Sequence, residues 1–166
     1  MPASVGPGPL ATVPGVTFTL DRVRYDSDEA RALITELQSE YVERYGGPDA
    51  TPVDPDEFAP PRGAFFVGHR DGELVGCAGL RTHSASDIEV KRMFIRRPFR
   101  GRGWSRTLLR LLEDEARALG FERIILETGL QQPEAMGLYE SSGYEPIPGF
   151  GHYRESEMNR CYAKTL

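Results

Sequence analysis

The tetrapeptide Arg100-Gly101-Arg102-Gly103 has the makings of a phosphate-binding loop. Its glycines let backbone approach a ligand closely, and its arginines carry permanent charge. Ahead of it, Ile88, Val90, Met93, Phe94 and Ile95 give a strand its β-branched and apolar content. Behind it, Trp104, Leu108, Leu111, Leu112, Ala116 and Leu119 step by three and four along one face of a helix that Gly120 ends. A helix start behind such a loop offers unpaired N–H groups and the positive end of the helix dipole, a seat for phosphate. Between Lys91 and Arg110 stand eight basic residues and no acidic one, in a chain whose net charge is −5. Two known phosphate loops are excluded. No Gly-Lys-Ser/Thr follows the loop, and Ser105-Arg106 stands where a dinucleotide fingerprint needs its third glycine.

The elements that must hold this loop follow from the chain in order. Residues 1–15 are rich in proline and glycine and read as a flexible tail, leaving 16–166 as one domain. Val16 to Val23 alternates as a first strand. Ser27 then offers an N-cap, and Ala30, Leu33, Ile34, Leu37 and Tyr41 make a helix stripe that Gly46-Gly47 stops. Gly47 to Gly63 holds five prolines and reads as a lid or a tolerated insertion, with one helical turn at Asp54 to Phe58. Ala64 to Gly68 and Glu73 to Leu80 form a hairpin around Asp71-Gly72 and lead to the strand at Asp87. The helix from Gly103 to Leu119 crosses over to a strand at Arg123 to Thr128, which implies parallel pairing. A last helix starts at Gln132-Pro133 and ends at Gly143. Strands at Tyr144 to Ile147 and Met158 to Lys164 close the chain. The order β-α-β-β-β-α-β-α-β-β describes a single α/β domain, a mixed central sheet flanked by helices.

At 166 residues the chain is near the common domain size and can bury a core without staples. Its acidic balance speaks against a nucleic-acid partner and suits a cationic one slightly better. Cys77 and Cys161 lack CxxC spacing and read as buried thiols. His69, His83 and His152 form no ligand pattern, so no metal is expected. With no signal peptide and no apolar run long enough to span a bilayer, a cytoplasmic protein without membrane contact is expected.

The run from Arg100 resembles the acetyl-CoA signature of the GNAT superfamily of N-acetyltransferases, Gln/Arg-x-x-Gly-x-Gly/Ala, read here as Arg100, Gly103 and Ser105. Serine at the last position is a departure, though a small one that adds a hydroxyl. Downstream, Glu127 to Tyr144 is similar to the family's strand, helix and Leu-Tyr…Gly-Phe/Tyr segment. The resemblance implies the mixed sheet above, acetyl-CoA as co-substrate, and direct acetyl transfer to a primary amine. The acceptor is a small or amino-acid-like molecule, with a protein N-terminus or lysine left open, and a homodimer is possible.

By the same resemblance, pyrophosphate sits on the amides of Arg100, Gly101, Arg102, Gly103, Trp104 and Ser105, and pantetheine runs along Met93, Phe94 and Ile95. Side chains of Arg97, Arg100, Arg102 and Arg106 are candidates to add charge. Gln132, where the family usually has Asn, is expected to contact the coenzyme. Tyr139 takes the family's general-acid position. Glu89, eleven residues before Arg100, takes the position of the general base used by some members, directly or through water. Relatives also use another base or ordered water. A Glu89 paired with Lys91 or Arg92 and a Tyr139 packed in the core are the plain structural alternatives. Tyr41, Tyr45, Phe58, Arg81, His83 and Tyr153 could line the acceptor side. The rival function is an acyl-CoA-binding sensor or interaction module of the same fold without turnover.

Overall fold

The structure, a computed structural model, describes residues 18–166; the tail expected at 1–15 lies outside them. Strands β1 (Phe18–Val23), β2 (Gly63–Arg70), β3 (Glu73–Thr82), β4 (Asp87–Ile95), β5 (Arg123–Gly129), β6 (Glu145–Ile147) and β7 (Asn159–Thr165) form one sheet. Their spatial order is β1-β2-β3-β4-β5-β7-β6. Helices α1 (Asp28–Tyr45), α2 (Trp104–Ala118) and α3 (Pro133–Ser141) complete the predicted order.

Two apolar layers sandwich the sheet. On one face, Ala30, Leu33 and Leu37 of α1 pack with Phe58, Phe65, Val67 and Phe94. On the other, Leu108, Leu109, Leu112 and Ala116 of α2 and Tyr139 of α3 pack with Phe66, Leu80, Ile88 and Val90. Alternation along each strand divides these residues between faces. Ser27 caps α1 by accepting from the Ala30 amide at 3.3 Å, as its position predicts.

Every neighbouring pair is antiparallel except β4 and β5, which the α2 crossover makes parallel. Their pairing runs from Asp87↔Arg123 to Val90↔Leu126. Past that point no β5 residue faces β4, and residues 91–95 keep an edge without a strand neighbour on that side. A bulge coincides with the parting: one residue of β3, Ala78 between Cys77 and Gly79, lies opposite two of β4, Arg92 and Met93 between Lys91 and Phe94. The extra residue is Arg92 or its neighbour, and Arg92 carries φ of 56°. Because one inserted residue reverses the alternation, Ile88 and Val90 face α2 while Phe94 faces α1.

Gly76 lets β3 hug this irregular stretch. A Cβ there would press into the Phe94 carbonyl oxygen and lie 2.9 Å from Ile95 Cδ1. The clash is with backbone, which cannot swing away. Gly76→Ala is therefore expected to cost about 2 kcal/mol, seen as a Tm loss of roughly 4–8 °C by calorimetry. An unchanged Tm would show that β3 and β4 are not fixed at this spacing.

Candidate active site

Where β4 and β5 part, a cleft of about 360 Å³ opens between them. Val90, Lys91, Arg92 and Met93 form one wall, and Glu127, Thr128 and Gly129 the other. Tyr41, Tyr45, Gln132 and Tyr139 close it from the helices, with Asp49 and Tyr153 from the loops. It is the parting of the strands, with the bulge, that turns a flat sheet edge into a container.

The α2 start follows in the chain from β4, whose residues 90–93 form the cleft wall. Gly103 is the N-cap with φ of 82°, a left-handed conformation that glycine adopts without strain, and no side chain caps the helix. Among the described residues, the amides of residues 101–106 donate to no protein acceptor. The Arg100 amide, expected among the donors, instead donates to the Arg97 carbonyl at 3.3 Å. The six free N–H groups that remain, at the positive end of a fifteen-residue helix, have the chemistry to receive an anion. The residues fit a diphosphate through main chain more than through side chains. Arg97 pairs with Glu40 and Glu43, Arg96 with Glu36, and Arg100 with Glu40 at 2.6 Å and with the Ile95 carbonyl at 2.8 Å. Arg106 donates to the hydroxyls of Ser141 and Ser142. Of the four arginines proposed from sequence, Arg102 alone lacks a partner among the described residues. The acidic edge of α1 thus answers much of the basic strip, which linear sequence could not reveal. The Trp104 ring stacks on Phe18 at 4.7 Å in the core, which leaves its amide, the group expected to meet the ligand, at the loop.

Tyr139 lines the cleft with 7% of its surface exposed. Its ring lies 5.8 Å from Tyr144 and 6.0 Å from Tyr162, while its hydroxyl bonds to no protein group among the described residues. Burial pushes the phenol up to about 12, so it stays protonated and able to donate at neutral pH. Gln132 also reaches the cleft, where its side-chain oxygen accepts from Thr128 Oγ1 at 3.0 Å.

Glu89 is placed differently. It is 4% exposed, accepts from Arg81 Nε at 2.9 Å, and lies 3.6 Å from Lys91 Nζ, outside the residues lining the cleft. Arg81 in turn meets Glu57 at 3.0 Å, and Lys91 meets Glu127 at 2.6 Å. Glu57, Arg81, Glu89, Lys91 and Glu127 form a chain of alternating charge that ends at the cleft. Of the acceptor-side candidates, Tyr41, Tyr45 and Tyr153 line it. Phe58 instead packs in the α1 core, Arg81 sits in the charge chain, and His83 packs on Phe150.

Sequence reasoning missed four charged cleft residues: Asp49, Lys91, Arg92 and Glu127. Arg92 pairs with Asp49, whose carboxyl burial would raise; the Arg92 charge and two Thr51 hydrogen bonds prevail and hold it at about 2. Glu127 had a usable signal, as a carboxylate within an otherwise apolar strand, Ile124-Ile125-Leu126.

The model of the Acetyltransferase (GNAT) family matches residues 31–144, which include most of α1, both strand walls of the cleft, the loop and Tyr139. The chain belongs to that family. An IAA acetyltransferase of Azospirillum brasilense is 32% identical over 155 residues, covering 93% of this chain and all of that protein. A solved structure assigned as an acyl-CoA N-acyltransferase of Klebsiella pneumoniae aligns with a TM-score of 0.72 at 26% identity, over 90% of this chain and 97% of that one. A GNAT acetyltransferase of Elizabethkingia anophelis, solved with acetyl-CoA bound, has the same fold, with a TM-score of 0.65 at 14% identity over 90% and 98% of the two chains. The protein is a GNAT acetyltransferase. No helix among its described residues is long and apolar enough to cross a membrane.

Proposed function

We propose that this GNAT enzyme transfers an acetyl group directly from acetyl-CoA to the primary amine of a small, amino-acid-like molecule. The observation that carries this reading is the continuity of three features: the free amides of residues 101–106, the unpaired edge of β4, and a cleft holding an unpartnered Tyr139 hydroxyl. A diphosphate on those amides would leave its pantetheine arm to run along Met93, Phe94 and Ile95 toward the cleft. Arg102 would add charge at the mouth, and the Gln132 amide would face the arm. The thioester supplies an acyl carbon already activated for attack.

The chain's own residues then have two tasks. Tyr139 gives a proton to the departing thiolate. A carboxylate must relieve the acceptor of its proton, because an alkyl amine with pKa ~10.4 is almost wholly charged at pH 7. Glu89 is proposed for this base system, but at one remove: its charge reaches the cleft through Lys91. A cleft of about 360 Å³ with charged walls suits a small polar acceptor. Calorimetry with acetyl-CoA and coenzyme A, followed by thiol release over a panel of amines, tests the proposal. Dissociation constants of roughly 1 µM to 1 mM are expected, with turnover of at least one small amine. If neither coenzyme form binds folded protein, the proposal fails.

A further inference from the structure

Glu127 has one carboxylate oxygen with nothing to do. Its side chain is 10% exposed, at the point where β5 has left β4. Oε1 accepts from Lys91 at 2.6 Å; Oε2 is buried and has no hydrogen-bond partner among the described residues. Leaving such an atom unsatisfied costs about 1–3 kcal/mol, so native proteins rarely do it without a use. Along the chain Glu57, Arg81, Glu89, Lys91 and Glu127, three carboxylates share two cations, and Glu127 at its end has only Lys91 beside it among the described residues. An ammonium entering the cleft would satisfy the idle oxygen and complete the charge pairing together.

Resting on the amine reading above, we infer that Glu127, rather than Glu89, is the residue that touches the acceptor and takes its proton. One N–H proton of the ammonium passes to Glu127 Oε2, freeing the nitrogen lone pair. That pair forms the bond to the acyl carbon as the carbon–sulfur bond breaks and its electrons go to sulfur. Tyr139 protonates the sulfur and recovers a proton from the new amide nitrogen. Glu127 returns its own proton to water, so the net products are amide, thiol and one proton. Glu89 becomes a positioning residue: with Arg81 it fixes the Lys91 ammonium, and Lys91 orients Glu127.

The test compares wild type, Glu127→Gln and Glu89→Gln on amines whose pKa runs from about 10 down to about 7, the range over which the need for a base at neutral pH disappears. Acetyl-CoA affinity and melting curves are taken on the same samples. Glu127→Gln is expected to lose ~10²-fold in kcat/KM on the most basic amine and less than ~10-fold on the least basic, with acetyl-CoA binding unchanged. Glu89→Gln should lose less than ~10-fold, evenly across the series. The assignment is overturned if Glu127→Gln stays within about threefold of wild type, if its loss is the same for every amine, or if Glu89→Gln shows the graded loss. Should Glu127→Gln not fold, Glu127→Asp decides: it keeps the charge but draws it back, and must show a graded, smaller loss. Failure of wild type to turn over any amine despite binding acetyl-CoA would overturn the amine reading itself, a result separable from the others.

Discussion

Tyr139→Phe is expected to lower kcat by ~10³-fold while leaving acetyl-CoA affinity and Tm almost unchanged. That loss corresponds to about 4 kcal/mol of transition-state stabilisation. The substitution is unusually clean here. The ring holds its place by packing against Tyr144 and Tyr162, which phenylalanine reproduces, and the hydroxyl makes no protein hydrogen bond that would be lost. Whatever disappears with the oxygen is therefore chemistry, not structure. Rapid-mixing measurement of thiol release would show a slow chemical step after normal binding. Burial, which lifts the phenol to about 12, adds a pH signature. The acid form persists through pH 10, where an ordinary tyrosine is half ionised, so wild-type activity should not fall there for loss of this proton. A Tyr139→Phe enzyme with kcat within threefold of wild type would remove Tyr139 from the chemistry.

The legibility of the chain divides along a physical line. Features set by neighbours in sequence could be read directly: Ser27 as a cap, Asp71-Gly72 as a hairpin turn, the α2 stripe, and the parallel pairing forced by a crossover helix. The places of the loop ahead of α2 and of Tyr139 on α3 were legible because each belongs to a local motif. What stayed hidden depends on contacts far apart in the chain. Arg97 and Arg100 look like free phosphate ligands until α1 brings Glu40 within 3.0 and 2.6 Å of them. Glu89 and Glu127 are both strand glutamates, yet the parting of β4 from β5 decides which reaches the cleft. That parting depends on a bulge for which no residue in 91–93 is an obvious marker: the residue with positive φ there is an arginine, not a glycine.

That arginine leads to the second large effect. Arg92 holds a left-handed backbone conformation that costs an L-residue roughly 1–2 kcal/mol, and its guanidinium is buried. The cost is borne because the conformation aims the guanidinium at Asp49, just beyond α1 in the proline-rich segment. Arg92 also donates to the Tyr25 hydroxyl, and Asp49 is fixed in turn by Thr51 and Gln38. Asp49→Asn should therefore cost ~3 kcal/mol, since it leaves a buried cation without its counter-charge, and lower Tm by roughly 6–12 °C. Arg92→Gln should cost a similar amount, and the double variant clearly less than the sum, by ~2 kcal/mol of coupling. The acid dependence has a definite sign. With the folded carboxyl at about 2 and the ordinary value at 3.8, the stabilisation is whole above pH 4 and fades as pH falls toward 2. The gap between wild type and Asp49→Asn should close over that window, and a gap independent of pH would show that the charge is not its source. Function should change in a different way from Tyr139→Phe. Asp49 and Tyr153, which accepts from the Ala50 amide at 2.7 Å, pin this segment against the cleft. Loosening it should raise KM for the acceptor several-fold and leave kcat nearly intact, because binding is disturbed while the proton donor stays in place.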